Sequence, residues 1–163
     1  MATDLEIEIN LANQTLTLLD RGVRVAVFPV STAANGAGEE MDSECTPRGR
    51  HVIDQKIGGE CAENTVFVGR RPTGETFDQI LGRRYPDRDW IVTRIMWLRG
   101  VEPGRNDSGN VDSKARYIYI HGTPDDTNIG APGSRGCIRM RNADVIRLFE
   151  SVEEGTPVNI VDG

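Results

Sequence analysis

YIYIHGT at residues 117–123 and PGSRGCIRM at residues 132–140 are the two stretches on which the reading of this chain turns. Tyr117-Ile118-Tyr119-Ile120 is rich in aromatic and β-branched side chains and predicts a strand that delivers His121 at its end. Sixteen positions later Cys137 follows Gly136 inside Ser134-Arg135-Gly136-Cys137-Ile138-Arg139. A thiol and an imidazole supply a nucleophile and the base that takes its proton, and the imidazole is expected to hold the thiol pKa down. Gly136 permits backbone turns closed to other residues, which can aim amide N–H groups at one point. Such donors stabilise the oxyanion of a tetrahedral intermediate. By residue type alone the bland reading is the commoner one, since a lone cysteine is more often a small buried hydrophobe and a lone histidine a satisfied structural residue.

Outward from this segment the chain reads as mainly β. Leu5, Ile7 and Ile9 alternate with Glu6 and Glu8, and after a turn at Asn10–Asn13 come Thr15–Leu19 and then Val23–Val30. Three short β-rich runs divided by turn residues predict an antiparallel meander. His51-Val52-Ile53 is a further strand, in which His51 reads as structural. Trp90–Leu98 is the longest apolar run and predicts a central strand, with both tryptophans in the core. Residues 31–45, 58–89 and 99–115 read as surface loops, and residues 58–89 have the length and composition of an excursion or lid over a site. One helix is predicted, with Asn142 as its N-cap and Val145, Leu148, Phe149 and Val152 as its apolar stripe. Gly155 stops it, and Pro157–Val161 is a last strand. A single domain over residues 1–163 accommodates everything.

Composition narrows the function classes. The 163 residues are 37% hydrophobic and 27% charged, which suits a packed globular chain. A net charge of −6 argues against nucleic acid and against adsorption to an anionic membrane. No run approaches the ~20 apolar residues that span a bilayer, so no membrane insertion is expected. Met1-Ala2-Thr3-Asp4-Leu5-Glu6 has neither the basic start nor the apolar run of a secretory leader, which predicts a cytoplasmic protein, or a periplasmic one if a leader has been removed. Cys45, Cys61 and Cys137 are odd in number, so at least one is unpaired; free thiols are expected, with a Cys45–Cys61 disulfide as the alternative. Two histidines and no closely spaced cysteine pair give no metal site, and no cofactor is implied.

Ile120-His121-Gly122-Thr123 followed by Pro132–Met140 resembles the signature of the L,D-transpeptidase catalytic domain, the YkuD-like family. Val30-Ser31-Thr32, Thr46-Pro47-Arg48-Gly49 and Gly155-Thr156-Pro157-Val158 resemble further motifs of that family in the same order, so the likeness spans most of the chain. It is weakest over residues 58–89 and 99–115. The resemblance implies a β-sandwich of mixed sheets with one packed C-terminal helix and long surface loops. It implies Cys137 as nucleophile, His121 as base oriented by the Gly122 carbonyl, and the Gly136 and Cys137 amides as oxyanion donors. Ser134 would hydrogen-bond within the turn. The family usually has histidine where this chain has Arg135, and arginine stays protonated, so His121 is the motif's only base. Arg135 and Arg139 are candidates for a substrate carboxylate, with a solvated loop arginine the alternative for Arg135.

The same resemblance implies peptidoglycan stem peptides as substrate and carbapenem-type acylating agents as further ligands. The first half-reaction attacks the L,D bond before the terminal D-alanine. If the chain meets soluble muropeptides in the cytoplasm, water is the abundant acceptor and the expected activity is an L,D-carboxypeptidase of peptidoglycan recycling. The alternatives are a transpeptidase forming 3–3 cross-links, or a non-catalytic domain that binds stem peptides.

Overall fold

The computed structural model describes residues 4–163, so the reading of Met1-Ala2-Thr3 as the start of a leaderless chain lies outside the described residues. Three antiparallel strands open the fold: β1 (Leu5–Asn10), β2 (Thr15–Asp20) and β3 (Val23–Ser31). Their alternation has the predicted consequence, with Ile7, Ile9, Leu16 and Leu18 all buried. Arg21 and Gly22 turn β2 into β3 with φ of 51° and 78°, the left-handed pair that matches strand twist.

The chain continues through β4 (Gly49–Ile57), a hairpin of β5 (Thr65–Val68) and β6 (Arg71–Thr76), and a short helix α1 (Gln79–Arg84). Then follow β7 (Val92–Gly100), β8 (Tyr119–Thr123), β9 (Ile138–Arg141), α2 (Asn142–Ser151) and β10 (Pro157–Val161). Neighbours run β4-β10-β1-β2-β3-β9-β8-β7, and β7 pairs again with β4. The expected layers of mixed sheet are thus parts of one barrel-like sheet that closes on itself. Two of its contacts are parallel, β1 with β10 and β8 with β9. The hairpin attaches to β7 through Val66 opposite Val92.

Strands β7, β8 and β9 are covered on both faces, and this places the site. Met96 and Leu98, Ile120, and Ile138 and Met140 point into the main core, where α2 adds Val145, Leu148 and Phe149. Each such fully buried aliphatic side chain stabilises the fold by about 1.5–3 kcal/mol. Because strand side chains alternate, Ile95 and Trp97, Tyr119 and His121, and Cys137 and Arg139 project to the opposite face. There Phe67 of the hairpin, Ile95 and Tyr119 form a second, smaller apolar cluster. The register sets His121 opposite Arg139 and Ile120 opposite Ile138.

Several local expectations need correction. The strand carrying His121 is Tyr119–Thr123 rather than Tyr117–Ile120, because Tyr117 has a φ of 58° and breaks the extended run; His121 sits in mid-strand. The long apolar strand starts at Val92, leaving Trp90 outside it. Residues 58–89 are not featureless but hold the β5–β6 hairpin and α1. That helix is six residues long and buries none of them, so it has no apolar period to read. Asn142 is the first residue of α2 and not its cap: Arg141 holds the cap position without a side-chain bond. The Asn142 amide is instead drawn into the interior, as described below. Residues 101–115 are fastened by buried Asn106, whose amide donates to the Arg48 and Arg50 carbonyls at 3.1 and 3.0 Å.

Candidate active site

The loop before β9 carries Cys137. Gly136 has a φ of 128°, and a β-carbon there would lie 3.1 Å from the Cys45 carbonyl oxygen, so both conformation and space require glycine. Thr46, fully buried, ties this loop to the opposite side of the site: its hydroxyl donates to the Gly136 carbonyl at 2.9 Å and accepts from the Ala33 amide at 3.0 Å. Ser134 closes the turn. Its hydroxyl donates to the Cys137 carbonyl at 2.5 Å and accepts from the Gly136 amide at 3.2 Å. The Gly136 amide is therefore engaged, a correction to its expected role as a free oxyanion donor.

Cys137 Sγ accepts from the Tyr119 amide and donates to the Tyr117 carbonyl, each at 3.3 Å. Its hydrogen-bond partners are backbone groups of the first residue of β8 and of Tyr117 just before it, and not an imidazole. The side chain is partly open to solvent, yet the enclosure of the sulfur dominates its chemistry and pushes the thiol up to about 12. The Tyr119 amide and the Arg139 and Arg116 charges pull in the other direction without overcoming it. The expectation of an imidazole-depressed thiol is therefore corrected: at neutral pH the resting sulfur is a protonated thiol.

His121 is buried, and its Nδ1 lies 2.6 Å from the Gly122 carbonyl oxygen. A carbonyl only accepts, which assigns the ring proton to Nδ1 and leaves Nε2 with a free lone pair. Burial lowers the imidazole pKa below its ordinary value, opposed by the Gly122 carbonyl and Asp89. Both groups are neutral at rest, and His121 and Cys137 share one cavity of about 450 Å³.

That cavity is cationic in an otherwise acidic chain. Arg70, Arg116, Arg135 and Arg139 line it, and Asp89 is the one carboxylate among its lining residues. Arg139 donates to Asp89 at 3.0 Å and to the Gly133 carbonyl at 3.1 Å, while its Nε is buried without a partner. Arg116 spends its donors on the Gly38 and Cys45 carbonyls and the Ser43 hydroxyl. Arg135 stands exposed at the rim. Sequence reading had singled out Arg135 and Arg139 but not Arg70, Arg116 or Asp89, which reach the cavity from distant loops. The only available signal was the excursion at residues 58–89, which supplies Phe67, Gly69, Arg70 and Asp89 to the lining. His51 lies elsewhere and is structural, buried between the Gly49 carbonyl at 3.0 Å and the Ser113 hydroxyl at 2.9 Å. Cys45 and Cys61 are free thiols.

Comparison with known proteins identifies the family and the fold. The family model of the YkuD L,D-transpeptidase catalytic domain matches residues 4–160. YqjB of Bacillus subtilis, named as an L,D-transpeptidase, is 29% identical over 92% of this chain and 66% of its own length. An L,D-transpeptidase of Xylanimonas cellulosilytica superimposes with a TM-score of 0.60 at 18% identity, covering 99% of this chain and 62% of the other. L,D-transpeptidase 3 of Mycobacterium tuberculosis, solved with a faropenem-derived adduct, gives 0.61 at 16% identity over 99% of this chain and 61% of the other. The structural likenesses speak to the fold, and the chain spans less than two thirds of the length of each of these relatives. The family model covers nearly every described residue, and the chain belongs to the L,D-transpeptidase catalytic domain family.

Proposed function

We propose that this chain is a cysteine acyl-transfer enzyme acting on the L,D bond of peptidoglycan stem tetrapeptides, with Cys137 as nucleophile and His121 as base. The observation that carries the reading is the pairing of His121 Nδ1 with the Gly122 carbonyl at 2.6 Å, in a cavity shared with the Cys137 sulfur. It fixes the tautomer in which Nε2 can accept the thiol proton. With the thiol protonated at rest, proton transfer accompanies attack: Sγ bonds to the carbonyl carbon as its proton passes to Nε2. The Cys137 amide, which makes no hydrogen bond among the described residues, is the donor we assign to the developing oxyanion. Collapse of the tetrahedral intermediate breaks the C–N bond, the imidazolium protonates the departing D-alanine amine, and a thioester remains.

We propose water as the acceptor that resolves this thioester, which makes the activity an L,D-carboxypeptidase that trims soluble muropeptides in the cytoplasm. Exposed Tyr117 and Arg135 at the cavity rim support it, since they leave water a path to the acyl group. A second reading, transfer to an amine with formation of 3–3 cross-links, is favoured by an adjoining cleft of about 360 Å³ that shares Asp89, Arg135 and Arg139 with the first cavity. Incubation of a tetrapeptide with and without an added D-amino acid, read by mass, separates the two. Loss of D-alanine that depends on Cys137 and ignores the acceptor supports hydrolysis; exchange or dimer formation makes the chain a transpeptidase. Absence of any thioester adduct, with tetrapeptide or with a carbapenem, would leave only a non-catalytic stem-peptide-binding domain. Cell fractionation tests the location.

A further inference from the structure

The two-residue turn of the β5–β6 hairpin is Gly69-Arg70, with φ of 56° and 66°. Turns with both central residues in the left-handed region favour glycine or asparagine, and most strongly glycine at the second position. Here the order is reversed: an arginine holds the strained second position, and Gly69 sits where an added β-carbon would meet nothing within 4 Å. Local geometry does not account for an arginine there, but the placement of its side chain does.

The guanidinium lies 4.4 Å from the centroid of the Trp97 ring and 5.0 Å from that of Tyr117, and donates to the Tyr119 hydroxyl at 2.9 Å. Trp97 is itself fixed by a bond from its indole nitrogen to the Lys114 carbonyl at 3.1 Å. This aromatic bed is built from the same tyrosines whose backbone groups hold the Cys137 sulfur. Arg70 is thus locked in orientation beside the nucleophile. It makes no ion pair among the described residues and uses one of its five N–H donors on a side chain. Of the other cavity arginines, Arg139 is offset by Asp89, Arg116 is consumed by backbone carbonyls and a serine, and Arg135 has no anchor. Of the three anchored arginines in this cavity, Arg70 commits the fewest N–H donors, one against two for Arg139 and three for Arg116. A planar fork held in this way suits bidentate binding of a carboxylate.

We propose that Arg70 is a specificity-determining residue that clamps a carboxylate of the acyl-donor peptide, an inference that rests on the proposed attack on stem peptides. The carboxylate is either the side-chain acid of a diaminopimelate at the third position or the terminal acid of the residue removed. Four tetrapeptides decide between them, with diaminopimelate or lysine third and with a free or amidated terminus. Steady-state kinetics on wild type, Arg70→Gly and Arg70→Lys are paired with dissociation constants measured in the Cys137→Ala background. Arg70→Gly is expected to raise KM and Kd about tenfold or more for peptides bearing the recognised carboxylate, with a smaller change in kcat. Peptides lacking that group are affected several-fold less than those bearing it, and Arg70→Lys recovers part of the difference. Because glycine relieves a φ of 66° while the contacts to Trp97, Tyr117 and the Tyr119 hydroxyl are lost, Arg70→Gly should melt close to wild type. Equal effects on all four peptides, or a large fall in melting temperature, overturn the inference. Binding without turnover by wild type sinks the proposed function while the Kd series still decides the role of Arg70. No binding of any peptide overturns both.

Discussion

Thr93 donates to the Asn142 side-chain oxygen at 2.6 Å, and that oxygen stands 2.7 Å from where a β-carbon on Gly122 would fall. The pair belongs to a buried cluster in which the Asn142 amide also reaches the Asn64 side chain at 2.8 Å and the Asn64 backbone amide donates to Thr93 at 3.0 Å. It is packed against the residue whose carbonyl fixes His121. Thr93 has a φ of 75°, costly for a β-branched residue, so its conformation depends on this network. Gly122→Ala drives a methyl against the Val92 carbonyl and the Asn142 oxygen, and should abolish carbapenem acylation while lowering the melting temperature. Asn142→Ala takes a partner from the buried Thr93 hydroxyl and the half-buried Asn64 side chain, a cost of about 1–3 kcal/mol, and should slow acylation by displacing Gly122. Stopped-flow acylation and thermal melts check both; full activity in Gly122→Ala would show that the Gly122 carbonyl has no part in orienting the base.

Ser134→Ala removes the hydroxyl that braces the Cys137 carbonyl against the Gly136 amide. The fold should survive at a cost of about 1 kcal/mol, while acylation falls by roughly an order of magnitude as the nucleophile turn loosens. Ser134→Thr should restore most of the rate. Comparable losses in the two variants would instead point to simple packing.

The protonation states of Cys137 and His121 give a pH signature. With burial pushing the thiol up to about 12, the thiolate is a minor form at neutral pH. Iodoacetamide should therefore label Cys137 far more slowly in the folded protein than in the urea-unfolded chain, as peptide mapping would show. Carbapenem acylation, assisted by neutral His121, should stay high through the usual histidine range and fall only below pH 6.5. An acid limb above that value would contradict a buried neutral base.

His51 makes a separate prediction about stability. Burial lowers its pKa from 6.5 to about 4. The unfolded chain thus takes up a proton near pH 6.5 and the folded one only near 4. The stabilisation is complete above 6.5 and is lost as pH falls through about 4, amounting to about 3 kcal/mol at most. Urea unfolding at several pH values should show wild type losing more stability over that window than His51→Gln. Parallel curves for the two proteins would remove His51 as the cause.

His121, Gly122, Ser134, Gly136 and Cys137 are legible in the sequence as candidates because they lie within one short segment, and the fold gathers His121, Ser134 and Cys137 along one cavity. Val145, Leu148 and Phe149 were legible for the same reason, since their spacing alone defines a buried helical face. Arg70, Arg116 and Asp89 were not, because only the closure of the sheet and the hairpin laid on β7 bring them to the cavity. Asn142 misled, since a residue type that caps helices was taken up by a tertiary network with Thr93. The Cys137 pKa was misjudged for a related reason: proximity of a histidine in sequence says nothing about how far burial desolvates the sulfur.

Strand β10, about a hundred residues beyond β4, lies between β1 and β4. During translation both of those strands therefore carry raw, unpaired edges until residues 157–161 leave the ribosome. Folding is necessarily late and dominated by contacts remote along the chain, which slows it. A stop codon that deletes β10 would do more than fray an end. It would expose two sticky strand edges at once, and the product should be recovered as aggregate or as protease fragments rather than as a weakened enzyme.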